Sequence, residues 1–153
     1  RIHLMSYQHI LVPVDGSPTS LVAVEHAINF AKTLNSKITL VQVLTLDPYI
    51  AAEYLSSTQT NDLIERARKS ILDNLATAEQ KFTEAGITVD VQLLEGQVIQ
   101  NELLKAAKSL NVDLIIMGSH GRTGLKKLFL GSVTQNILSE TDIPVLVVRL
   151  PKS

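Results

Sequence analysis

The chain has 153 residues and 16.7 kDa, with 45% apolar and 19% charged residues and a formal net charge of −1. That is about one ordinary domain, long enough to bury a core and too apolar for intrinsic disorder. With 14 basic and 15 acidic residues there is no global field to attract nucleic acid or an anionic membrane, and without cysteine there is no disulfide, thiol nucleophile or thiolate metal site.

No apolar run approaches the ~20 residues that span a bilayer, and no secretory segment is legible, so a cytoplasmic protein is the expectation. Arg1 to Leu4 precede Met5, which reads as the natural start, and a single domain is expected over 5–153.

The first element is the apolar run His9 to Val14, a strand closed by the turn Asp15-Gly16-Ser17. Ser17-Pro18 supplies an N-cap and an N1 proline. The helix that follows has Leu21, Val24, Ile28, Ala31 and Leu34 at inward spacing and ends near Asn35. Ile38 to Leu44 is β-branched and nearly all apolar, as in a strand covered on both faces. Asp47 to Thr60 reads as irregular. A long helix is then expected from Asn61 to Ala85, with Leu63, Ala67, Ile71, Leu75, Ala78 and Phe82 inward and Gly86 as its stop. Ile87 to Leu94 is the third strand, Val98 to Leu110 a helix, and Leu114 to Met117 the fourth strand, ending at Gly118. A glycine-rich loop leads to a short helix from Val133 to Ser139, and Pro144 introduces the last strand, Val145 to Val148. Strands alternating with helices and no repeat or linker define an open, mostly parallel α/β sheet.

Ligands of such sheets bind beyond the carboxyl ends of the strands, where strand order reverses. The ends of strands one and four carry the informative residues. Gly118, Gly121, Gly124 and Gly131 are four of the seven glycines in the chain. Glycine lets backbone N–H groups approach an anion, and Gly131-Ser132 opens a helix whose free N–H groups attract phosphate. His120, Arg122, Lys126 and Lys127 add donors and positive charge. A polyphosphate site and a flexible loop with solvated lysines both fit this composition. Neither the P-loop pattern nor a G-x-G-x-x-G after strand one is present, which excludes the two commonest nucleotide motifs.

The spacing Gly118-x2-Gly121-x9-Gly131-Ser132 matches the nucleotide signature of the universal stress proteins. The surrounding Asp113 to Arg122 and Leu130 to Val133, the opening Ile10 to Ser17 and the closing Pro144 to Val148 also resemble that family, so the likeness runs from Tyr7 to Arg149. The resemblance implies a five-stranded parallel sheet in the order 3-2-1-4-5 with helices on both faces. It implies ATP (or AMP or ADP) as ligand, with Mg²⁺ or Mn²⁺ carried by the phosphates and no protein metal site. In the ATP-binding members, residues matching Pro13, Val14 and Asp15 border the nucleoside, and the position of Val43 reads adenine through its backbone. Met117 and Gly118 flank the ribose, while Gly121, Gly131, Ser132, Val133 and Thr134 surround the phosphates, beside Ser119, His120 and Arg122. Two departures from the family are Gln42, where many members have histidine, and Gln97-Val98, where a proline is common after Gly96.

Single residues carry rival readings. Asp15 can contact a nucleoside or cap its own turn, and Ser17 reads as the better cap. His120 has no evident partner acid or nucleophile and reads as a phosphate neighbour. His9 and His26 read as structural or exposed, without metal spacing. A phosphorelay receiver would need an acceptor aspartate after strand three, where Glu95-Gly96 stands instead. An adenylating enzyme would need a different loop after strand one. Two functions therefore stay in view. One is a nucleotide-dependent regulatory stress protein with at most slow, metal-dependent ATP hydrolysis and no catalytic residue. The other is an interaction dimer with a vestigial site. In both, Val145, Leu146, Val147 and Val148 form an apolar edge expected to pair with a second copy.

Overall fold

A computed structural model describes residues 6–45, 56–120 and 130–151. Its elements are β1 (His9–Pro13), α1 (Pro18–Leu34), β2 (Lys37–Leu44), α2 (Ser57–Glu84), β3 (Asp90–Glu95), α3 (Ile99–Ser109), β4 (Leu114–Gly118), α4 (Ser132–Glu140) and β5 (Val145–Val148). The five strands are parallel, in the order β3-β2-β1-β4-β5. The sheet grows to one side from β1 to β3 and then to the other through β4 and β5, so order reverses between β1 and β4. This is the architecture the sequence implied.

Alternate residues of each strand feed two cores. Ile10, Val12, Ile38 and Leu40 pack against α1 and α2 on one face. Leu11, Val41, Ile115 and Met117 pack against α3 and α4 on the other. Both faces of the sheet are covered, which is why its central strands read as unbroken apolar runs.

Several boundaries depart from expectation. α2 begins at Ser57, so Ser57 to Thr60 are helical rather than irregular. Ser56 caps it in a reciprocal box: its Oγ accepts from Gln59 N–H, and Gln59 Oε1 accepts from Ser56 N–H. The S-x-x-Q pattern was present in the sequence and is the physical reason for the earlier start. The 28 residues of α2 reach ~42 Å at 1.5 Å per residue, longer than any strand beneath. Leu63, in its second turn, is accordingly 43% exposed rather than part of the core. β3 starts at Asp90, opposite Thr39. Ile87 and Val89 still pack on the core but precede the ladder.

The inward face of α1 also differs. Ala23, Ala27 and Ala31 face the sheet beside Val24, while Leu34 is 41% exposed. Small residues let the helix lie close to the strands, and its larger side chains flank the contact. Asn35 ends α1 in the left-handed region, at φ 55°. The amino ends of the strands are tied together by polar side chains. Asp113 accepts from Gln8 N–H and His9 N–H, and the His9 ring bonds Leu110 O and Thr39 Oγ1. His9 is therefore structural, and His26 is exposed on α1.

Candidate functional site

The site lies where β1 stops. In a parallel ladder the N–H and C=O of a residue point to the same neighbouring strand, and the next residue points to the opposite one. Val14 N–H donates to Val41 O, placing Val41 on the β1 side of β2. Gly96 N–H donates to Leu44 O, placing Leu44 on the β3 side. Val43 thus turns its backbone groups toward β1, but beyond the point where β1 has ended at Pro13. On the other flank Ser119 N–H donates to Val148 O, so Gly118 faces the same gap from β4. The backbones of Val43 and Gly118 therefore line a slot whose floor is Pro13-Val14. The Val14 side chain is buried in the α1–α2 core, and Met117 is buried in the opposite one.

The turn Asp15-Gly16-Ser17 rises from that floor. Asp15 Oδ1 accepts from Ser17 N–H at 2.8 Å, and Ser17 Oγ accepts from Ser20 N–H at 3.2 Å. Asp15 closes the turn and Ser17 caps α1. The two residues cap different groups, so Ser17 does not displace Asp15 from that work, and Asp15 remains half-exposed with its second oxygen outside this bond.

Across the slot, Gly131 N–H donates to Ser119 O at 2.7 Å. This bond joins the point where the chain leaves β4 to the point where it enters α4. Gly131 is the N-cap of α4 and offers no side-chain cap; the first bond of the helix is Gln135 N–H to Gly131 O. The N–H groups of Ser132, Val133 and Thr134 consequently have no acceptor among the described residues, at the positive end of the helix dipole. The N–H of Gly131 itself is taken by Ser119 O. Thr134 is buried, and its hydroxyl donates to Gly118 O at 2.9 Å, so only its backbone is left for a ligand. Ser132 is exposed. His120 Nδ1 is buried and has no partner among the described residues. Gly121, Arg122, Gly124, Lys126 and Lys127 lie outside the described residues.

Two residues of the site's framework, Thr19 and Asn74, had no signal in the sequence. Thr19 of α1 packs so closely on Gly118 that a Cβ there would stand 2.7 Å from its Cγ2. Asn74 of α2 donates to Gln42 Oε1 at 3.2 Å and lies against Gly16. Among the described residues no cluster of three or more histidine or carboxylate side chains could hold a metal.

The universal stress protein family model matches residues 6–149. The chain belongs to that family. Among relatives, it is 34% identical over 146 residues to universal stress protein MJ0531 of Methanocaldococcus jannaschii, covering 95% of this chain and 84% of that protein. Among solved structures, MJ0577 of the same archaeon superposes with a TM-score of 0.84 at 31% identity, over 97% of this chain and 100% of that one. Adenine nucleotides occur in fold neighbours of lower identity. The universal stress protein of Archaeoglobus fulgidus in complex with dAMP has a TM-score of 0.67 at 19% identity, over 94% of this chain and 98% of that one. Another family member, in complex with cAMP, has a TM-score of 0.68 at 24% identity, over 95% and 98%.

Proposed function

We propose that this chain binds ATP in the slot between β1 and β4 and serves as a nucleotide-dependent regulatory protein of the stress response. The observation that carries the reading is the start of α4, which has no side-chain cap among the described residues. Three adjacent N–H groups, of Ser132, Val133 and Thr134, sit beside a gap lined by the backbones of Val43 and Gly118. A helix start without a side-chain cap at a strand-order reversal is an anion site, here beside a gap lined by backbone donors and acceptors, which suits phosphates joined to a nucleoside. The dAMP and cAMP complexes of the two relatives favour an adenine nucleotide over other phosphate esters.

In this arrangement Asp15 bonds the nucleoside, Val43 reads adenine through its backbone, Met117 and Gly118 flank the ribose, and α4 holds the phosphates with the glycine loop that includes Gly121 and Arg122. Mg²⁺ or Mn²⁺ would ride on the phosphates. The half-exposed edge of β5 supports a homodimer. The cytoplasm is the compartment proposed, with neither nucleic acid nor membrane as a partner. Calorimetric titration of ATP into the purified chain tests the reading. A Kd on the order of 1–100 μM is expected, and no binding at millimolar nucleotide overturns it.

A further inference from the structure

We infer that Asn74 is a positioning residue for this site, setting the separation between the Asp15 turn and the Val43 segment; the inference rests on the nucleotide reading above. Asn74 lies on α2, outside every motif that points to a nucleotide. It shares a face with Ile71, Leu75 and Ala78, all buried in the core, so the helix cannot rotate to carry it away. Its amide touches both the strand that carries Val43 and the turn that rises from the floor of the slot. Nδ2 donates to Gln42 Oε1 at 3.2 Å, one residue before Val43 on β2. The same amide stands over the α-carbon of Gly16, one residue after Asp15. A Cβ on Gly16 would lie 2.7 Å from Asn74 Oδ1 and 2.8 Å from both Cγ and Nδ2.

Gly16 is therefore required twice, by its φ of +81° and by the seat of Asn74. The turn can settle no nearer to α2 than this contact allows. The Gln42 bond fixes where on β2 the amide is anchored. One side chain thus ties the residue proposed to hold the nucleoside to the strand proposed to read its base. A pair present only to satisfy two half-buried amides would change stability when broken, and would leave the affinity of the folded protein unmoved.

The test is a double-mutant cycle read by ATP and AMP titration at a temperature where every variant is folded. Asn74→Ala is expected to raise Kd about tenfold, equally for ATP and AMP, because the displaced group serves the nucleoside end. In an Asp15→Ala background the same change is expected to alter Kd by less than about twofold, since the group being positioned is gone. Gln42→Ala, which leaves Gly16 in contact with Asn74, carries the test if Asn74→Ala does not fold, with a smaller loss in the same direction. Wild-type affinity in Asn74→Ala, or full additivity with Asp15→Ala, overturns the positioning role while the nucleotide reading stands. A wild-type chain that binds neither nucleotide overturns both.

Discussion

Gly131 donates its N–H to the carbonyl of Ser119 across a span of twelve residues in sequence, and the bond is only 2.7 Å long. The neck it forms sets the start of α4 against the end of β4, and with it the N–H groups of Ser132, Val133 and Thr134, which have no acceptor among the described residues. A Cβ on Gly131 would lie 3.2 Å from His120 Cα, a tight contact with backbone rather than with a flexible side chain, and 3.5 Å from Ser119 O, an ordinary one. Gly131→Val should open the neck and swing the helix start away from the slot. We expect ATP binding to fall by at least tenfold, with the midpoint of urea unfolding lowered only modestly, because the neck lies at the end of the sheet and outside both hydrophobic cores. Calorimetry on the folded variant, beside its unfolding curve, checks both parts.

The opposite end of the sheet supplies a control. The Asp113 carboxylate accepts from Gln8 N–H at 2.8 Å and from His9 N–H at 3.0 Å, so it closes the amino ends of β1 and β4. Asp113→Ala removes both acceptors and leaves the His9 N–H part-buried without a partner. A loss of about 1–3 kcal/mol of folding free energy is expected, measured by urea unfolding. The nucleotide slot is at the carboxyl ends of the same strands, so ATP affinity of the folded variant should be unchanged.

The five strands and the two loops that border the slot were legible in the sequence as short apolar stretches, of which the first ends in Asp15-Gly16 and the fourth in Gly118; the order of the strands came from the family resemblance, not from these patterns. The glycine spacing after β4 then named the family. The helix faces were less legible. In α1 both Leu34 and Ala27 fit a helical period, and only the close approach of helix to sheet decides for the alanines. The start of α2 was written in Ser56-x-x-Gln59 and was obscured by the polar run around it. Asn74 and Gln42 could not have been paired from sequence. They stand 32 residues apart, on different elements, and meet only when α2 is laid across β2.

Hydrolysis should be slow. His120 Nδ1 is buried without a partner among the described residues, and no carboxylate is bonded to it to orient the ring as a base. We expect phosphate release with Mg²⁺ or Mn²⁺ far below the ~10 s⁻¹ of an ordinary enzyme. A phosphate-release assay that reached that rate, and lost it in His120→Asn, would make the protein an ATPase rather than a nucleotide-holding one.

The last strand sets the final expectation. Pro144 O and Val148 O accept from Ile115 N–H and Ser119 N–H, so Pro144, Leu146 and Val148 turn their backbones toward β4. By the alternation of the ladder, Val145 and Val147 turn theirs outward, away from the sheet, on a strand whose side chains are mostly half-buried. Leu138 and Leu150 are 42% and 44% exposed and bracket this strand in sequence. Outward N–H and C=O groups on an apolar edge are matched most simply by the same strand of a second copy, running antiparallel about a two-fold axis. Val147→Pro deletes an outward donor and leaves the bonds to β4 in place, so it should weaken the dimer while the monomer stays folded. Leu146→Pro strikes the inward side of the strand and should destabilise the fold itself, by removing a ladder donor to β4. Light scattering at tens of micromolar, with circular dichroism on the same samples, separates the two effects. A wild-type chain that is monomeric there refutes the edge pairing.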